Sequence, residues 1–209
     1  MKKFLNLLSG LFFMILTAGV VNSATIVDTG TKGINYGFNF YQYQCPAAEF
    51  TIGEKYTITD IESWLWKQDL SGLGINPDES YHTVTVTLYA DGGEVPGNFK
   101  YSGTFDTNIG TVGTGDWYGI HGVSWELDIG TYWVSFTEAT MWTGAWIGEA
   151  VTQLGNEAIS DNSGSTWIEY DNFAMPLRIQ GNAAAVPIPS AISLLGLGLL
   201  AIAGVRRKQ

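Results

Sequence analysis

The chain reads as an all-β protein: one antiparallel β-sandwich of the jelly-roll kind, flanked by an N-terminal signal peptide and a short C-terminal transmembrane helix. Three observations lead there. Runs rich in Thr, Val, Ile, Tyr and Trp recur between Gly, Asp, Asn and Pro, and no helical periodicity appears between the termini. The clearest run, "YHTVTVTLYA" from Tyr81 to Ala90, alternates strictly, with Val84, Val86, Leu88 and Ala90 against Thr83, Thr85, Thr87 and Tyr89. Period two marks a strand with one face buried and one wet. Lastly, the two ends are apolar and differ in composition from the acidic middle, which divides the chain into residues 1–23, 24–181 and 182–209.

The first segment has the order of a secretory signal. Lys2 and Lys3 precede an apolar run from Phe4 to Val21, and the small residues Ser23 and Ala24 follow as a cleavage site. Export through the Sec translocon and cutting by signal peptidase are expected. The competing reading is an uncleaved anchor, which Asn6, Ser9, Gly10 and Thr17 weaken by diluting the run.

In the middle segment, strands are expected at Ile34 to Phe40, Ala48 to Ile52, Tyr56 to Trp66, Tyr81 to Ala90, Phe99 to Phe105, Val123 to Leu127, Gly130 to Phe136, Ser165 to Tyr170 and Met175 to Gln180, nine or ten in all. "DGGEVPG", Asp91 to Gly97, supplies the turn between two of them. In "YTITDIESWLW" the apolar parity set by Tyr56 and Ile58 changes to Ile61, Ser63 and Leu65, which predicts a bulge near Asp60 and puts Trp64 and Trp66 on the outer face with Glu62. In "GTYWVSF" Tyr132, Val134 and Phe136 share one face, and Trp133 and Ser135 the other.

Charge narrows the function. All 20 acidic residues lie between residues 24 and 181, whereas only five of the 10 basic ones do, so the exported body carries 5 − 20 = −15. That excess repels nucleic acid and anionic lipid and favours neutral ligands or cations. Cys45 is the single cysteine, so no internal disulfide can form; it is either a buried, inert thiol or a site of intermolecular pairing.

Catalytic constellations are thin. His82 lies in a threonine-rich strand and His121 in a turn between glycines, and the sequence has no nucleophile elbow, zinc-binding helix or phosphate loop. A carboxylate pair for sugar hydrolysis is available among so many acids, but no particular pair stands out. Asp69 to Glu79 and "SDNSGS", Ser160 to Ser165, offer oxygen ligands for calcium, with ordinary turn chemistry as the alternative. The eight tryptophans are more informative, because flat aromatic faces can hold the apolar faces of sugar rings. The candidates are Trp64 and Trp66, by parity, and Trp117, Trp142 and Trp146, which lie in glycine-rich, loop-like segments.

The end of the chain has three ordered parts. Val186, Pro187, Ile188, Pro189 and Ser190 come first, then fifteen apolar, serine or glycine residues from Ala191 to Val205, then Arg206, Arg207 and Lys208. At 1.5 Å per residue the apolar helix spans about 22 Å, short of a hydrocarbon core of about 30 Å. The basic stop would remain cytoplasmic, leaving the domain on the far side.

This tail resembles the PEP-CTERM sorting signal of exported bacterial proteins, with an apolar residue between the prolines where the common motif has glutamate. The stretches "VTVTLYADGGEVPG", "LDIGTYWVSF" and "MPLRIQG" resemble strands of ectodomains that precede such tails. The resemblance implies cutting by an exosortase-type membrane protease in a Gram-negative bacterium, with transient inner-membrane anchoring and release to the cell surface or extracellular matrix. A plain tail anchor is the alternative. The expected function is a non-enzymatic, exopolysaccharide- or biofilm-associated surface protein with carbohydrate contact; the alternative is a secreted carbohydrate-active enzyme, a glycoside hydrolase or lyase.

Overall fold

The computed structural model describes residues 23–33, 37–67, 82–107, 109, 112–138 and 145–184. Among them there is no helix. In chain order the strands are β1 (Ala24–Asp28), β2 (Gly37–Asn39), β3 (Cys45–Ile52), β4 (Tyr56–Lys67), β5 (His82–Asp91), β6 (Pro96–Thr107), β7 (Gly115–Leu127), β8 (Gly130–Glu138), β9 (Ala145–Gly148), β10 (Glu157–Ser160), β11 (Ile168–Glu169) and β12 (Arg178–Ala183). They form two six-stranded antiparallel sheets. One runs β1-β12-β4-β9-β2, with β7 also paired to β4; the other runs β11-β10-β3-β8-β5-β6.

A single buried cluster draws on both sheets, and period-two alternation supplies its members. Val84, Val86 and Leu88 of β5 and Val134 and Phe136 of β8 are fully buried, as are Ile58, Ile61 and Leu65 of β4 and Ile179 of β12. Each such side chain is worth about 1.5–3 kcal/mol relative to its exposed state.

The expected bulge in β4 is present. Ile58 pairs with Gly181 of β12 and Asp60 with Gln180, so Thr59 is an extra residue on β4. On the other side Ile58 faces Trp125 and Asp60 faces His121, so β7 carries its own irregularity across Gly122, whose φ of 67° is one that L side chains rarely adopt. Asp60 ties the two together, because its Oδ1 accepts the Gly122 N–H at 3.3 Å and lies 3.1 Å from His121 Nδ1.

Beyond the bulge, one edge of β4 forks. β12 takes Tyr56 to Glu62 and β9 takes Leu65 to Lys67, while β7 covers the opposite edge from Tyr56 to Trp66. Ser63 sits at the fork and donates to the Pro176 carbonyl at 2.7 Å. Thr29 Oγ1 accepts the Leu177 N–H at 2.9 Å, so the run into β12 is held by side chains where no strand pairs with it.

Three strands exceed the sequence expectation: β1, β9 and β10, each of five residues or fewer and too short to show periodicity. β7 begins eight residues earlier than expected, taking in the glycine-rich stretch before Val123, and β11 keeps only two residues of the expected Ser165 to Tyr170 strand. His121 is therefore a strand residue, not part of a turn.

The parity of β8 is as expected, but its outer face is not wet. Trp133 is 0% exposed there, packed with Ala47 and Ala158, with Tyr89, Val95 and Trp167 against them. The segment after β10 covers this face: Ser163 N–H donates to the Tyr43 carbonyl, and Trp167 meets Tyr89 edge-on at 5.6 Å. Cys45 is buried under the same cover with Sγ 3.9 Å from the Ser160 carbonyl, and burial pushes its thiol up, which makes it a poor partner for intermolecular pairing.

Glu157 is a buried acid at the junction of the sheets. Its Oε1 accepts the Met175 N–H at 3.0 Å, while buried Oε2 has no protein partner. Burial holds its carboxyl well above the usual range, and that single hydrogen bond only partly opposes the shift. A raised carboxyl favours the folded state at low pH, so the contribution is complete below the unfolded value of about 4.3 and is lost as pH rises through the folded one. Glu157→Gln is expected to stabilise the protein at neutral pH and to flatten the loss of stability above about pH 4.3 in denaturant titrations. Leu88→Ala, at the centre of the core, is expected to cost about 2–5 kcal/mol by the same method.

Candidate functional site

The outer face of the first sheet gathers most of the singled-out tryptophans. With the bulge setting its parity, β4 presents Glu62, Trp64 and Trp66 outward. Across the register, Trp64 lies opposite Trp117 of β7, and Trp66 lies between Gly115 of β7 and Trp146 of β9. Trp64 and Trp117 meet edge-to-face at 5.8 Å, and Trp66 and Trp146 are tilted at 5.6 Å. The result is a four-indole patch across three strands, about 10 Å wide at the usual strand spacing.

Glycines make room for the rings. A Cβ at Gly115 would lie 2.6 Å from Trp64 Nε1, and one at Gly148 would lie 2.7 Å from Trp64 Cδ1. One at Gly37 would approach the Ile147 carbonyl oxygen at 2.5 Å and Trp66 Nε1 at 3.0 Å. Trp64 and Trp66 therefore rest on backbone that carries no side chain. Their Nε1 atoms are buried without a protein acceptor, so these two indoles offer a surface ligand their apolar rims and faces, not their N–H groups.

Exposure divides the candidates. Trp64, Trp117 and Trp146 are half-buried, whereas Trp66 is only 9% exposed and packs against Trp146. The expectation that Trp66 stands exposed is thus corrected: it has the outward parity, but its side chain is buried. Trp117 and Trp146 lie in strands, not loops, and Gly115 and Gly148, two residues from them, lie in the same strands and make room for the Trp64 ring. Trp142 lies outside the described residues.

A polar margin adjoins the indoles. Glu62 pairs across the sheet with Arg178, whose guanidinium lies 3.9 Å from the Trp117 ring centroid, and Arg178 Nε donates to Asp28 Oδ2 at 3.2 Å. His121 stands between two carboxylates, with Nδ1 3.1 Å from Asp60 and Nε2 3.8 Å from Glu62. At the other end of β4, Lys55 is matched by Glu126 at 3.3 Å and Asp128 at 3.5 Å. The Lys55 and Arg178 pairs are exposed enough that each is worth little to stability.

Elsewhere, His82 opens β5 opposite Thr107. Among the described residues no group of three or more His, Cys, Asp or Glu is placed to hold a metal ion. In the Ser160 to Ser165 loop the oxygens serve the turn: Ser160 Oγ accepts the Gly164 N–H at 2.9 Å, and Asn162 Oδ1 accepts the Thr166 N–H at 2.8 Å. Asp69 to Glu79 lies outside the described residues, as do Val186, Pro187, Pro189, Ser190, Arg206, Arg207 and Lys208. A cavity of about 310 Å³ lined by Lys32, Glu149, Gln153, Asp171, Asn172 and Phe173, among others, contains none of the patch tryptophans.

Sequence reasoning missed Arg178, the glycine seats and the margin of Asp60, Glu62 and His121 as one constellation. A usable signal was present: in "GDWYG" the glycines share the parity of Trp117. No family model matches the chain, and no curated protein matches its sequence.

The seating of Trp64 has a direct consequence. Gly115→Ala is expected to destabilise by about 1–3 kcal/mol in denaturant titrations and to change the near-ultraviolet circular dichroism, because the added methyl lifts Trp64 from the sheet.

Proposed function

We propose that this is an exported, non-enzymatic protein of the bacterial cell surface or matrix that holds polysaccharide on the aromatic face of its first sheet. The observation that carries the reading is the patch of Trp64, Trp117 and Trp146 packed together with buried Trp66 beside glycine, an apolar, partly exposed surface of the kind that packs against sugar rings. The two-sheet architecture supports a β-sandwich of jelly-roll kind, a fold that lends one broad face to a ligand.

Export and sorting rest on sequence. The Lys2 to Ala24 segment supports a signal peptide, and the Val186 to Lys208 tail supports a short membrane helix cut by an exosortase-type protease. The enzyme reading gains nothing from the patch. Asp60 is committed to the bulge, and Glu62 lies on the same open sheet face rather than across a cleft from it.

Two measurements test this. In affinity electrophoresis through neutral polysaccharides, the protein is expected to be retarded, with Trp117→Ala and Trp146→Ala each weakening binding by about tenfold, equivalent to about 1.4 kcal/mol. Unretarded migration in every polysaccharide overturns the binding proposal. Intact-mass spectrometry of the mature protein is expected to find the chain ending within Val186 to Ser190. A membrane-bound form that retains Arg206 to Gln209 as its mature state makes the tail a plain anchor.

A further inference from the structure

Resting on that reading, we infer that the aromatic face takes an amine-bearing glycan, with its sugar rings on the indoles and an ammonium group against Glu62. Three separate observations select a cation. Arg178 shows the mode of binding within the protein itself, since its guanidinium already lies 3.9 Å from the Trp117 ring centroid, and the face of an indole attracts positive charge.

The second observation is the balance of charge along the margin. Of the cations beside the patch, Arg178, opposite Glu62 in the register, is matched by Asp28, and Lys67, next to Trp66 on β4, has a buried side chain. Asp60 and Glu62 share His121, and the approach to Glu62 is loose at 3.8 Å, whereas Asp60 is held at 3.1 Å and also binds the Gly122 N–H. Glu62 is therefore the carboxylate with acceptor capacity left for a ligand beside the patch, and Asp60 adds to its field. A carboxylate accepts several charge-assisted hydrogen bonds, and an ammonium donates three.

The third is the body itself, whose charge of 5 − 20 = −15 between residues 24 and 181 draws in cationic chains and repels polyanionic ones. An extended chain also fits the layout. Trp64 and Trp66 are two residues apart on β4, about 6.7 Å, so Trp117, opposite the first, and Trp146, opposite the buried second, stand at successive steps along the face. Glu62 is two residues beyond Trp64 on the same face, which places the charge at one end of the aromatic track.

The test compares a six-sugar oligomer of glucosamine with the matching N-acetylated oligomer by calorimetry on the full chain, below neutral pH, where the amines carry protons. Glucosamine oligomer is expected to bind about tenfold tighter, with the difference lost in about 0.5 M salt and in Glu62→Gln. Glu62→Gln keeps the side-chain shape and leaves the bulge at Asp60 intact, and an unchanged denaturant midpoint checks that it folds. Equal binding of both oligomers overturns the amine assignment and leaves glycan binding standing. A preference that survives Glu62→Gln overturns the assignment to Glu62. Binding of neither oligomer, nor of any polysaccharide in the electrophoresis, overturns the glycan reading as well.

Discussion

The parity change at Thr59 and Asp60 of β4 governs this structure. Side chains on a strand alternate between faces, so one extra residue moves everything after it to the opposite side. Without that residue, Ile61 and Leu65 would face outward and Trp64 and Trp66 would point into the core. With it, Ile58, Ile61 and Leu65 are all fully buried, and the same strand supplies the first sheet with its outer indoles. Asp60 serves as the clasp, holding Gly122 and His121 of the neighbouring strand where β7 departs from regular pairing.

The fork in β4 is the second determinant. Because β12 stops at Glu62 and β9 starts at Leu65, one edge of β4 carries two different neighbours. Arg178 arrives from one and Trp146 from the other. Charged and aromatic groups from distant parts of the chain thus come to adjoin a single face. Ser63 and Thr29 make the gap tolerable by satisfying backbone groups that no strand reaches.

The two outer faces have opposite fates. On the second sheet, Trp133 is sealed beneath the segment that carries Trp167, and becomes a small second core. On the first, glycines at positions 37, 115 and 148 let the indoles settle onto the backbone, and three of the four keep part of their surface in solvent. An aromatic residue facing outward by parity is therefore a surface group in one sheet and a core group in the other. What lies above it decides.

By itself the sequence determined the strand chemistry: the alternation in β5 and β8, the turn after Asp91, the bulge near Asp60, and the lack of an internal disulfide. These follow from local rules of spacing and side-chain shape, which act within a few residues. Short strands such as β9 and β10 were not legible, because four residues show no period, and the glycine-rich start of β7 read as loop because glycine signals both turns and ring seats. Only the tertiary structure decided that Trp66 is covered while Trp146 is not, and that Trp133 is sealed. It alone set Arg178 over Trp117. Those outcomes depend on register between strands far apart in the chain, and a sequence read residue by residue carries no record of which strands meet.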